Sequence, residues 1–353
     1  MSAGARRLRQ PVAATIDTHA HWYPRSFIAL LERGAAAEGG SMGRTPEGHP
    51  VFSLPGLEPK SVMRPSMVEP ELMLEAMDRR RVDAYVLSLT NPMVYWARPE
   101  FGLALARTWN DACAEVHRAW PERFIGTIQL PMQAPELALQ ELERAAQLPG
   151  MRALYLATHI NGRNLDEPEF RPVFARCEAL GLPVFLHPLY PCGGARIGRH
   201  FMRNLCGNPY ETGLAAASLA LGGVLDEFPR LKVMLPQAGG AYPWLAGRFD
   251  RGWKVRRELA HLERRPSSYL RRFYYDTITH DPRILRFLIE LVGADRIVLG
   301  SDYDQDMQCE RPVEFVGRVP GIGERERALI LGGNARRLLR LGRPGRSRES
   351  FPG

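Results

Sequence analysis

A parallel (β/α)8 TIM-like barrel, an α/β fold, with a small insertion after strand 1, is the fold class this sequence predicts. Three observations point to it. Short, continuously apolar β-type runs such as VFL, KVML and RIVLG recur along the chain, helical patterns separate them, and about eight such units follow one another. Strands covered on both faces read as unbroken apolar runs. Strand–helix alternation implies parallel βαβ units, and eight of these close into a barrel. A length of 353 residues is compatible with one such barrel.

Taken in order, strands are expected at residues 14–18, 82–89, 124–131, 153–158, 183–187, 232–235, 273–276 and 297–300. Helices are expected between them at 70–80, 101–119, 135–147, 169–180, 212–227 and 282–291. Residues 34–68 break the alternation. They are rich in Gly, Pro and Ser and are expected to form the insertion, a small β-flap over the barrel mouth. Residues 1–340 then make one barrel domain, and 341–353 (LGRPGRSRESFPG) a basic, disordered tail.

Composition narrows the partners. Apolar residues are 45% and charged residues 24%, which is ordinary for a globular protein. The net charge is +8, and the only lysines are Lys60, Lys232 and Lys254, so nearly every cation is arginine. The arginines are scattered rather than striped with aromatics, which argues against nucleic acid and favours an anionic small-molecule substrate. Five cysteines, an odd number without a CxxC pair, fit reduced thiols in the cytoplasm. The start lacks the apolar segment of a secretory signal, and no apolar run is long enough to span a bilayer, so no membrane partner is expected.

The first strand region reads Ile16-Asp17-Thr18-His19-Ala20-His21. Residues two apart on a strand share a side, so His19 and His21 both face the barrel axis at its C-terminal end, where barrel active sites sit. HxH alone also fits a polar turn. The fifth strand ends in His187, which alone would be an ordinary hydrogen-bonded residue, and the eighth runs into Asp302. Together these are three imidazoles and a carboxylate from three strand ends that a barrel brings together. That donor set suits Zn2+, with Mn2+, Fe2+ or Co2+ as alternatives. The metal would activate water or polarise a substrate oxygen, and Asp302 can serve as general acid or base.

The motifs D-x-H-x-H, FLHP and LGSDY, with R-x-x-x-x-E-P (64–70), YWARPE (95–100), THINGRNL (158–165), GGAYPWLAGR (239–248) and GNARRLL (333–339), resemble the amidohydrolase superfamily. The branch most similar is the aminocarboxymuconate-semialdehyde decarboxylase-like group. The resemblance covers most of the chain. It implies that His19, His21, His187 and Asp302 are the metal ligands. It also implies that Arg64 grips a substrate carboxylate and that Arg248 does so across a homodimer interface. A guanidinium fork suits bidentate carboxylate binding. Trp96 would wall the pocket or simply pack.

One position departs from the family pattern. Gln237 stands where the family places a proton-handling His. An amide can orient a substrate oxygen or water but is no base near neutral pH. His280 and His159 are weaker rim candidates, and Asp304 and Asp306 are expected to order the loop after Asp302. The leading expectation is a metal-dependent, non-oxidative decarboxylase of a small unsaturated or aromatic carboxylic acid, with Asp302 handling the proton. The alternatives are a hydrolase or hydratase using metal-activated water, and a metal-containing binding protein that lost catalysis with the His at 237.

Overall fold

The structure is a computed structural model and describes residues 15–342. The chain start at 1–14 lies outside the described residues, as does the expected tail apart from Leu341 and Gly342.

In chain order the elements are β1 (Ile16–His21), α1 (Arg25–Gly34), β2 (Ser41–Arg44), β3 (Pro50–Leu54), β4 (Leu57–Val62), α2 (Pro70–Arg80), β5 (Ala84–Ser88) and α3 (Pro99–Ala119). They continue with β6 (Phe124–Ile128), α4 (Pro135–Ala145), β7 (Met151–Ala157), β8 (His159–Ile160), β9 (Arg163–Asn164), α5 (Arg171–Leu180) and β10 (Val184–His187). After these come α6 (Asn208–Leu221), α7 (Val224–Glu227), β11 (Val233–Leu235), α8 (Tyr242–Val255), β12 (Phe273–Tyr275) and α9 (Pro282–Val292).

Seven strands form one parallel sheet in the order β1-β5-β6-β7-β10-β11-β12. The eighth position is not a regular strand. Residues 297–303 close the ring through one isolated bridge on each side, Ala20 with Tyr303 and Tyr275 with Ile297. The Val298 N–H donates to the Tyr275 carbonyl (2.8 Å), and Leu299 and Tyr303 accept from Thr18 and His21 (2.8 and 2.6 Å). A continuous ladder fails here because Asp302 sits at φ 59, outside the β region. The barrel is thus closed, but its last strand is shaped around one side chain.

Proline marks where helices begin. It occupies the first or second position of α2, α3, α4, α5, α6, α8 and α9, where its missing N–H is not needed and its fixed φ is already helical. In α9, Leu285, Leu288, Ile289 and Val292 are buried at helical spacing. Each such burial stabilises by roughly 2 kcal/mol. The expected single helix at 212–227 is two, α6 and α7, because Gly223 turns the backbone to φ 78 between them. Helices α1 and α8 were not among the expected elements. In α8, Pro243, Gly247 and Gly252 dilute the helical pattern.

Residues 34–68 carry the antiparallel sheet β2-β3-β4. The buried Phe52 on β3 packs on Trp96 with ring centroids 4.7 Å apart, which ties the insertion to the segment after β5, on the barrel's C-terminal side. One contiguous apolar core runs from Ile16 to Leu339. All five cysteines are free, and among the described residues no helix is long and apolar enough to cross a membrane.

Candidate metal centre

β1 is buried at all six positions, and its alternation turns His19 and His21 to the same side. β10 ends in His187 and the closing segment delivers Asp302. The structure brings these four side chains together, with one ligand atom from each lying within 4.8 Å of the others. The imidazole centroids are 4.8–5.3 Å apart and mutually edge-on. All four residues are buried.

The surrounding hydrogen bonds fix the tautomers. His19 Nδ1 lies 3.0 Å from Asp276 Oδ2, a carboxylate that can only accept. The Ser88 hydroxyl donates to the Ala20 carbonyl (3.0 Å), so its oxygen accepts from His21 Nδ1 at 3.0 Å. Both rings therefore carry their proton on Nδ1 and turn an Nε2 lone pair inward, toward Asp302 Oδ1 at 3.4 Å (His19) and 3.0 Å (His21). Three acceptors converging in a buried space call for a cation between them, and His19 Nε2 has no hydrogen-bond partner. The residues present fit a divalent metal held by nitrogen and oxygen donors.

The electrostatics agree. Burial would raise the Asp302 carboxyl, but the fields of His19, His21 and His187 outweigh it and hold the group well below the usual carboxylate range. Burial lowers His21, and burial with the neighbouring imidazoles pushes His187 well down, so both are neutral and ready to ligate. His19 moves the other way. Burial is overcome by Asp302 and Asp276, so in the absence of metal it holds the proton that a cation would displace.

Asp17, Asp276 and Ser88 hold the centre without belonging to the expected site. Asp17 Oδ1 accepts from the N–H groups of His19 and Ser301, both at 3.0 Å, and so locks β1 to the residue preceding Asp302. Asp276 Oδ1 accepts from the N–H of Ala238 (2.8 Å) and of Ile278 (3.1 Å). One carboxylate therefore orients both a ligand imidazole and the turn that carries Gln237. The signal for Asp276 was available, since it is an acid at a strand end like Asp302. Its partner, 257 residues away, was not. Gly300 has no room for a side chain, because a Cβ there would lie 2.8 Å from that of Asp276 and 3.2 Å from that of His19.

A cavity of about 270 Å³ opens beside Asp302. Gln237 and His280 lie in its wall with Asp302, and Trp244, Ile278 and Phe287 make much of the rest apolar. Gln237 sits at φ 52, and its Oε1 accepts from the Thr212 hydroxyl (3.1 Å), which leaves its amide N–H groups to donate. His280 is thus placed closer to the chemistry than its sequence context suggested. Asp281, next to it, caps α9 by accepting from the Arg283 N–H (2.8 Å).

Arg64, Trp96 and Arg248 lie outside that lining. Arg64 pairs with Asp304 (3.4 Å) and Asp306 (4.0 Å), just beyond Asp302. Ser66 and Gln308 also donate to Asp304, at 2.5 and 3.0 Å. Trp96 packs between Phe52 and Phe101 and donates to the Met93 carbonyl (3.2 Å). Arg248 is exposed on α8. His159 belongs to the β8–β9 hairpin, where it accepts from the Gly162 N–H (3.0 Å).

Comparison with known proteins bears on this geometry. A family model described as amidohydrolase matches residues 16–341. The 2-amino-3-carboxymuconate-6-semialdehyde decarboxylase of Dictyostelium discoideum is 36% identical over 276 residues, which is 77% of each chain. The crystal structure of 5-carboxyvanillate decarboxylase from Sphingomonas paucimobilis superposes with a TM-score of 0.79 at 29% identity, covering 94% of this chain and 100% of that one. The dihydroxybenzoic acid decarboxylase of Polaromonas sp. JS666, solved with bound manganese and 2-nitroresorcinol as inhibitor, gives 0.77 at 25% identity over 94% and 98%.

Proposed function

We propose, from the premise that this chain belongs to the amidohydrolase family, that it is a metal-dependent, non-oxidative decarboxylase of a small aromatic or unsaturated carboxylic acid. The observation that carries the reading is the buried His19–His21–His187–Asp302 cluster, whose Asp302 lines a small cavity of mixed polar and apolar character. A volume of about 270 Å³ sits at the small end of ligand pockets and suits a single-ring acid. Decarboxylases among the relatives and solved neighbours support it.

A divalent cation held by the four ligands would polarise a substrate oxygen and neutralise charge that develops on the substrate. The three-imidazole, one-carboxylate set favours Zn2+; the manganese of the Polaromonas enzyme makes Mn2+ the main alternative. Asp302 is ionised at neutral pH, so it first accepts a proton, from a substrate hydroxyl or from solvent. Its Oδ1 faces His19 and His21, which assigns the proton to Oδ2. The bond from the carboxylate carbon to the substrate carbon then breaks, and its electron pair stays on the substrate carbon. Asp302 delivers the proton there and carbon dioxide leaves. The Gln237 amide donates to a substrate oxygen, a role that needs no titration. His280 is a second hydrogen-bonding side chain in the cavity wall, and Phe287 and Trp244 offer the ring an apolar surface. Arg64 takes a substrate carboxylate in exchange for the Asp304 or Asp306 carboxylate that it now holds.

The same reading extends to a homodimer. Adjacent helices α6, α8 and α9 expose Tyr210, Leu214, Trp244, Leu245, Phe287 and Leu291, and Trp244 stacks on Phe287 at the cavity edge. An apolar face of this kind marks an interface. Arg248, one helical turn from Trp244, would reach a partner's site from it. The five free cysteines fit a cytoplasmic setting.

The test is metal analysis paired with carbon dioxide release over small aromatic and muconate-like acids. The expected result is about one transition metal per chain, lost in His187→Ala, with metal-dependent carbon dioxide release. Incorporation of solvent oxygen into product would move the assignment to a hydrolase. Bound metal with neither reaction would leave a binding role.

A further inference from the structure

A second cavity, of about 430 Å³, lies at the opposite end of the barrel. Its lining includes Leu182 before β10, Lys232 before β11, Arg272 before β12 and Arg296 before the closing segment, so it sits at the N-terminal ends of the strands. The metal ligands sit at their C-terminal ends. The four residues of β10 alone separate the two by roughly 13 Å. Nothing in the proposed reaction uses this face.

Six cations line the cavity: Arg230, Lys232, Arg271, Arg272, Arg296 and Arg340. Glu178, also in the lining, pairs with Arg230 (3.1 Å), and Asp295 beside it serves both Arg271 (3.2 Å) and Arg296 (3.4 Å). Lys232, Arg272 and Arg340 have no carboxylate within ion-pair distance among the described residues. Asp226, whose field reaches Arg272, is held by the Tyr269 hydroxyl.

Uncharged partners also fix three of the guanidinium groups. Arg340 donates to the Leu180 carbonyl (3.1 Å) and lies directly over Gly181, where a Cβ would come within 2.0 Å of its guanidinium carbon. Arg272 donates to the Pro229 carbonyl (2.7 Å). Arg296 stacks over the Tyr274 ring at 5.2 Å and donates to its hydroxyl (3.2 Å). These contacts set position, and those of Arg272 and Arg340 do so without neutralising charge. Burial and the fields of Arg340 and Arg296 lower the Lys232 ammonium, the mark of a cation held among cations. Fixed guanidinium groups around a concave space, those of Arg272 and Arg340 without a carboxylate partner among the described residues, match the requirements of a tetrahedral oxyanion.

We propose that this cavity is an anion site for an oxyanion of the phosphate class, taken as free phosphate or as the phosphate of a small ester. Its occupancy stabilises the barrel from the face remote from the metal, because binding to the folded state alone raises stability by mass action.

The test is thermal denaturation of the metal-loaded protein against inorganic phosphate, with potassium chloride at equal ionic strength as reference, for wild type, Lys232→Gln and Lys232→Glu. Adenosine monophosphate is run alongside. The expected result is a saturable rise in Tm for wild type, a half-saturating concentration at least tenfold higher in Lys232→Gln, and no saturable rise in Lys232→Glu. Metal content should be unchanged in both variants. Tighter binding of adenosine monophosphate than of phosphate would identify an ester as the ligand, and equal or weaker binding the free anion. A wild type that shows no saturable rise overturns the proposal. So does a rise equally large in both Lys232 variants, because surface exclusion of phosphate or binding at the metal end does not depend on Lys232. Should Lys232→Glu fail to fold, Lys232→Gln and Arg340→Gln carry the same comparison.

Discussion

Asp276→Asn tests the claim that the metal centre is held from outside its ligands. In the native protein Asp276 Oδ2 accepts from His19 Nδ1 at 3.0 Å, while Oδ1 accepts from the Ala238 and Ile278 N–H groups at 2.8 and 3.1 Å. All three contacts need an acceptor. Asparagine supplies one acceptor and one donor group, so neither orientation satisfies the site. With its NH2 toward His19, two donors face each other and the imidazole must move its proton to Nε2, the atom aimed at the metal. With its oxygen toward His19, the NH2 meets two backbone donors and the turn carrying Gln237 is strained. Loss of a carboxylate behind a ligating imidazole weakens metal binding roughly 10- to 100-fold, or about 1.4 to 2.7 kcal/mol. At fixed free metal, metal-dependent stabilisation falls by up to the same amount. The assay is competition for Zn2+ or Mn2+ with a chromophoric chelator, alongside Tm measured with and without metal. The variant should fold, and its metal-free Tm should change less than its metal-loaded Tm. Metal affinity within twofold of wild type would refute the reasoning.

Other perturbations reach the same structure from different sides. Gly300→Ala drives a methyl group against Asp276 and His19; overpacking of this kind costs about 1–3 kcal/mol, so Tm and metal affinity should fall together, and an unchanged Tm would count against the contact. In the metal-free protein, lowered His21 and His187 lose stability as pH falls below the unfolded value near 6.5, while raised His19 contributes below that value and loses its contribution as pH rises through its folded pKa. Unfolding below about pH 6.5 therefore takes up at most about two net protons from this trio, a slope of up to about 2.7 kcal/mol per pH unit, against a shallower opposite slope above it. Stability of the metal-free protein measured by urea titration should peak near there, and a curve still rising as pH drops to 5 would contradict the assignment. Trp244→Glu should convert a sedimenting dimer to monomer, whereas Arg248→Ala should keep the dimer and lower kcat/KM about tenfold or more; a monomeric wild type at micromolar concentration would remove the basis for both.

Much of the site was legible because its determinants are local. The 2-residue spacing of His19 and His21, an apolar run ending in His187 and an apolar run leading to Asp302 each place a donor at a strand end, and a barrel does the rest. Unbroken apolar strands and proline-started helices marked the alternation in the same local way, and α2 falls where expected, at Pro70–Arg80. What escaped was decided by contacts distant in sequence. The eighth strand is distorted because Asp17 takes the Ser301 N–H across 284 positions and leaves Asp302 in a left-handed turn. The packing of Trp96 on Phe52 and the pairing of Arg64 with Asp304 likewise join segments far apart in sequence.

By itself, then, the sequence determined which residue types stand at which strand ends, and so the donor set and the alternation that closes the barrel, since side-chain periodicity is a property of a single strand. Only the tertiary structure decided which nitrogen of each imidazole faces inward, that Gln237 and His280 share a wall with Asp302, and that six cations gather around one cavity at the far end. Those are pairings between segments brought together by closure, and their hydrogen bonds and fields exist only once the strands lie side by side.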